Sequence, residues 1–100
     1  MKDYFTFLME FKGGTYVSQI SAPFESVCHK WACTFDASGI PGFGESQREF
    51  LVKEFKSEIP TAVKGVFGVW CVSAMIDDGL ALVHFVKTSP QIAELASNQK

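Results

Sequence analysis

Three cysteines and two histidines are the side chains of this 100-residue chain best suited to chemistry. Cys28 and His29 are neighbours, and a thiol beside an imidazole is the raw material of an activated nucleophile. Their surroundings have helical periodicity, and adjacent side chains on a helix point about 100° apart. Cys28 then falls on an apolar stripe and His29 turns toward solvent, so the pair reads as a core thiol beside a surface ring.

Cys28, Cys33, Cys71, His29 and His84 supply enough donor atoms for a metal, but structural zinc sites take paired ligands at short loop spacings. Cys28 and Cys33 lie five positions apart on a helix and diverge. Neither a metal nor a cofactor is expected. The loop Gly39-Ile40-Pro41-Gly42-Phe43-Gly44 has three glycines, yet it lacks the Lys-Ser/Thr of a phosphate loop and no strand precedes it. Asp77 and Asp78 belong to a turn, and Glu45, Glu49, Glu54 and Glu58 to the solvated side or ends of a helix.

His84 stands apart because Leu82-Val83-His84-Phe85-Val86 is strongly apolar, and a polar ring there needs a partner such as Ser73, Thr6 or Gln19. Trp70 is a large anchor at a strand position and becomes a binding residue if it faces away from the helices. With Tyr16, these two are the best lining candidates for a site between sheet and loop. Tyr4 and Leu8 are candidates for a partner-binding sheet face. Phe43, held in a glycine-rich loop, is either a partner contact or a side chain tucked into the core.

The elements that must position these residues are two hairpins around two helices. Phe5, Phe7, Met9 and Phe11 alternate with Tyr4, Thr6, Leu8 and Glu10, the pattern of a half-buried strand. A two-residue turn at Gly13-Gly14 pairs Phe11 with Tyr16, Met9 with Ser18 and Phe7 with Ile20, which keeps the Phe face apolar. Phe24, Val27, Cys28, Trp31, Ala32 and Phe35 fall on one helical stripe that opens near Pro23. Residues 36–45 form a loop rich in helix breakers.

Ser46-Gln47-Arg48-Glu49 matches a capping box, and Leu51, Val52, Phe55 and Ile59 make the stripe of a second helix, widened by Phe50 and ended by Pro60. Residues 66–76 and 80–87 are β-forming and apolar on both faces, with Gly68 marking a bulge or a close backbone approach. A two-residue turn at Asp78-Gly79 pairs Ile76 with Ala81 and Ser73 with His84; a bulged three-residue turn shifts that register by one. Residues 89–100 read as a short helix or a frayed tail.

Composition bounds the rest. One hundred residues suit a single domain, 1–100, and 47% hydrophobic residues with ten Phe make a chain that folds. Net charge is −2, and Arg48 is the single arginine, which disfavours nucleic acid. An odd number of cysteines suits a reducing, cytoplasmic setting. Neither a signal peptide nor a membrane-spanning helix is read at the N-terminus.

The expected fold is α+β: two layers, a four-stranded antiparallel sheet with both helices on one face, in the order ββααββ, and the C-terminal segment at an edge or on the opposite face. The second sheet face, with Tyr4, Leu8 and Val17, is too apolar for plain solvent. The expected function is therefore binding ahead of catalysis: a protein-binding or regulatory module, as a homodimer or as an inhibitor-like or immunity-like partner of another protein. The alternative is a small-molecule or enzymatic site near His84 and Trp70.

Overall fold

The computed structural model describes residues 3–89; the expected short helix or tail lies outside them from residue 90 onward. The chain is α+β, with strands β1 (Asp3–Phe11), β2 (Gly14–Ala22), β3 (Thr61–Ala62), β4 (Val69–Ile76) and β5 (Gly79–Thr88) and helices α1 (Val27–Thr34) and α2 (Glu45–Ser57). A 3-10 turn at Phe24–Ser26 leads into α1. All strand pairings are antiparallel, in the order β2-β1-β5-β4-β3.

The sheet has five strands where four are expected. Pro60 holds Ile59 out of helical geometry, and the chain stays extended long enough for Thr61 and Ala62 to pair with Cys71 and Trp70. Two residues are too few to carry a periodic signal. Residues 66–68, expected as strand, belong instead to the loop before β4, where Gly65 and Gly68 take φ of 91° and 73°. The Gly68 carbonyl accepts a hydrogen bond from the Lys87 amide at 2.9 Å, a close backbone approach.

The first hairpin register differs from the expected one by two residues, and the second differs by two from the register of an Asp78-Gly79 turn. The first turn is Lys12-Gly13, with φ of 48° and 83°, and Phe11 pairs with Gly14, Met9 with Tyr16 and Phe7 with Ser18. The end of the Tyr16 ring lies over Gly14, in space that a side chain there would share. The second turn is Asp77-Asp78, with Asp77 at φ 56°, so Cys71, not Ser73, faces His84. Gly79 then opens β5, where a Cβ would meet Lys12 Cε at 3.1 Å and Phe11 Cε1 at 3.2 Å. A shift of two preserves the alternation of faces, so the Phe face still meets the helices.

On that face Phe7 is sandwiched between Phe85 and Trp31, each ring centroid 4.7 Å away and nearly parallel, and Trp31 stacks in turn on Phe35 at 4.3 Å. All four rings are buried. Full burial of each such side chain contributes about 1.5–3 kcal/mol before entropy is charged against it. The Trp31 indole N–H, which would be costly to leave unpaired, donates to Ser18 Oγ at 2.8 Å.

Helix α1 lies over β2 and α2 over β4. The stripe of α1 is buried as its spacing predicts, from Val27 to Phe35, with Phe24 half-buried. In α2 only Leu51 and Phe55 are buried; Phe50 and Ile59 are exposed, Ile59 because the helix ends at Ser57, before its stripe is complete. The helix also begins earlier than the Ser46 box implies. Gly44 is the cap, and its amide donates to Gln47 Oε1 at 2.9 Å while Gln47 Nε2 donates to Asp77 Oδ2 at 2.9 Å. One glutamine side chain therefore closes the helix start and ties it to the second hairpin turn.

Candidate functional site

The strand registers decide where each candidate side chain points. Trp70 pairs with Phe85 and Cys71 with His84 across β4 and β5. Directly opposed residues share a face, so Trp70 lies on the helix side and His84 on the open side. Trp70 stacks on Phe85 with ring centroids 5.4 Å apart and touches Phe24 at 4.9 Å. It lines a cleft of about 310 Å³ with Asp3, Phe5, Phe24 and Lys87, whose rim carries the exposed Lys87–Asp3 ion pair at 3.7 Å.

Tyr16 is on the helix side too, half-buried beside the core. Phe43 is buried, edge-on to Phe11 and tilted against Phe35, so the glycine-rich loop tucks its aromatic inward. Tyr4, Leu8 and His84 do share the open face, each half-buried. The six candidates thus divide into two groups separated by the sheet, plus one core residue.

The open face is built from the alternate residues of the four long strands. One row across it runs Val17, Leu8, His84, Cys71 and Thr61, set by successive cross-strand pairs. Val17, Met75 and Leu80 are 62%, 56% and 50% exposed, and Leu82, Val86 and Val69 are half-buried among them. No helix of the described residues covers these side chains. Polar groups gather at one end, where Gln19 Nε2 donates to Thr6 Oγ1 at 3.0 Å and the Thr6 and Thr88 hydroxyls are bonded at 2.6 Å.

Charge on this face is sparse. Of the outward positions on β2, β1, β5 and β4, Glu10 carries the sole carboxylate and no lysine or arginine occurs. His84 was expected to find Ser73, Thr6 or Gln19, and Leu8 and Cys71 flank it instead.

On the far side of the molecule, α1 and α2 enclose a groove of about 480 Å³ lined by His29, Cys33, Arg48, Glu49, Val52, Lys53 and Lys56. His29 Nε2 lies 3.9 Å from Cys33 Sγ, one helical turn away. That contact, not Cys28–His29, is the thiol–imidazole neighbourhood of α1, and its i,i+4 spacing is legible in the sequence. Burial pushes the Cys28 thiol up to about 12, with the Glu58 carboxylate adding to it, so Cys28 is no nucleophile at neutral pH. Burial also raises Cys71.

Arg48 has a structural task. Its Nη1 and Nη2 donate to the carbonyls of Ala32 at 2.7 Å and Phe35 at 2.6 Å, and its guanidinium lies 4.6 Å from the Phe35 ring centroid. It therefore closes the C-terminal end of α1, where carbonyls lack intrahelical partners. Among the described residues no group of three His, Cys, Asp or Glu is placed to hold a metal, and no helix is long and apolar enough to cross a membrane. Known protein families, characterised proteins and solved structures provide no match to the chain.

Proposed function

We propose that this chain is a protein-binding module that engages a partner through the open face of its sheet. The observation that carries this reading is a solvent-facing sheet surface with Val17, Met75 and Leu80 at least half exposed and Glu10 as its one carboxylate. A surface without cations is poorly suited to nucleic acid or to anionic lipid. It is suited to a flat, neutral, largely apolar protein surface, with the Thr6, Gln19 and Thr88 hydrogen-bonding groups fixing orientation at one end. The role is regulatory or inhibitor-like, in which the module masks a surface on its partner. Three free thiols, Cys33 exposed among them, suit a reducing compartment.

The alternative, a small-molecule or enzymatic site near His84 and Trp70, is the less favoured reading because the two side chains lie on opposite sides of the sheet. The test is capture of partners from the native source by the wild type, by Met75→Lys/Leu80→Lys, and by Lys53→Glu on the helix side. A protein held by the wild type and by Lys53→Glu but lost from the double variant supports the open face. The same proteins on all three, or none on the wild type, contradicts it.

A further inference from the structure

The two edges of the sheet are treated unequally. One edge is β3, two residues long, which pairs only with Trp70 and Cys71 and, among the described residues, leaves residues 72–76 of β4, beneath α2, without a strand on that side. The other is β2, nine residues long and paired to β1 without a break from Asp3–Ala22 to Phe11–Gly14, so no bulge turns it away. Edge strands of soluble proteins are normally guarded by a lysine, a proline, a bulge or a covering element. From Gly14 to Ala22 there is no charged residue and no proline, and among the described residues β2 pairs with β1 alone. Alternate N–H and C=O groups of β2 therefore point away from the sheet.

We propose that β2 is a self-pairing strand: two copies of this chain join β2 to β2 antiparallel, about a two-fold axis near Ser18, making one ten-stranded sheet. The occupant is a second copy because the strand is complementary to itself about that centre. Tyr16 meets the partner's Ile20 on the helix side, Val17 meets the partner's Gln19 on the open side, and Thr15 meets the partner's Ser21. Tyr16 and Ile20 set apolar against apolar, Thr15 and Ser21 set polar against polar, and no like charges oppose. This register keeps both helix layers on the same side, so the open faces merge into one surface twice as wide. The pairing is independent of what binds that face.

Charge reversal across the axis tests it. Val17 and Gln19 are both exposed, so Val17→Lys/Gln19→Lys and Val17→Glu/Gln19→Glu leave the core untouched while placing like charges opposite one another in the dimer. Sedimentation of the full chain is expected to show a dimer that forms by about 100 µM, both double variants as monomers, and their equimolar mixture as a heterodimer. Met75→Lys, on the open face but far from β2, is expected to remain dimeric.

A wild-type chain still monomeric at about 1 mM overturns the proposal. Double variants that still dimerise overturn it too. Loss of the dimer in Met75→Lys would show two sheets stacked face to face and would also overturn edge pairing. Partner capture is read separately, on a heterologous protein, so either reading can fail without the other.

Discussion

Leu8 on β1 and His84 on β5 stand directly opposite each other on the open face of the sheet. Trp70, one residue before the Cys71 that flanks His84 on the other side, points through to the helix layer and stacks on Phe85. A single-residue alternation thus assigns one candidate to a broad uncharged surface and the other to the margin of the core. The functional reading follows from that division.

The aromatic column is the most sensitive part of the core. Phe7 is fully buried between two nearly parallel rings, so Phe7→Ala removes both stacking contacts and leaves a cavity that Trp31 and Phe85 cannot readily fill. Chemical denaturation is expected to show a loss of about 3–5 kcal/mol, enough to unfold much of a domain this size. Phe7→Leu should cost clearly less.

Arg48→Lys is not a conservative change here. A lysine cannot reach two carbonyls with a planar fork or lie flat over Phe35, so the last turn of α1 loses hydrogen bonds made by a charged donor. The expected loss in urea unfolding is about 1–3 kcal/mol. Lys53→Glu, exposed on the same helix, should change stability by less than about 0.5 kcal/mol.

Lys12→Asn should stabilise the protein. Lys12 sits at φ 48° in the first position of a two-residue turn followed by Gly13, and asparagine tolerates that conformation better. The exposed Lys12–Asp78 pair at 3.7 Å that is lost contributes little. A gain of about 0.5–1 kcal/mol is expected in thermal or urea unfolding.

The three thiols should react in a fixed order. Cys33 is exposed, Cys71 half-buried and Cys28 buried, so alkylation followed by mass spectrometry at neutral pH should label Cys33 first, Cys71 slowly and Cys28 only on unfolding. Cys28 also gives the fold a pH dependence. Its pKa is raised from 9.0 to about 12, so the folded state holds this proton more tightly than the unfolded chain does. That contribution is fully present below about pH 9 and is lost as pH rises toward 12. Cys28→Ala should flatten the fall in stability over that window.

The α1 stripe was legible because six positions of 3.6-residue periodicity point to one face, and burial follows from that directly. The hairpins were legible as hairpins, but their registers were not. Lys12-Gly13 competes with Gly13-Gly14 as a turn, and the contact that distinguishes them is tertiary: Lys12 and Phe11 pack against Gly79. The Phe face of the first hairpin still meets the helices because the slip there is of two residues. The second hairpin shows what was at stake, since a one-residue bulge would have put Trp70 and His84 on the same side. Thr61–Ala62 was invisible for want of length, and Arg48 carried no local signal of the carbonyls it would meet. The apolar character of both faces of β4 and β5 was legible; which of their residues faced outward was settled only by the register.

The open face itself is tested most directly by the affinity of a captured partner for the wild type and for Met75→Lys, measured by calorimetry on purified proteins. Met75 is 56% exposed and its replacement leaves the core intact. The account predicts at least a tenfold weaker dissociation constant for Met75→Lys, about 1.4 kcal/mol, with Lys53→Glu unchanged. Equal affinity for Met75→Lys and the wild type would contradict it.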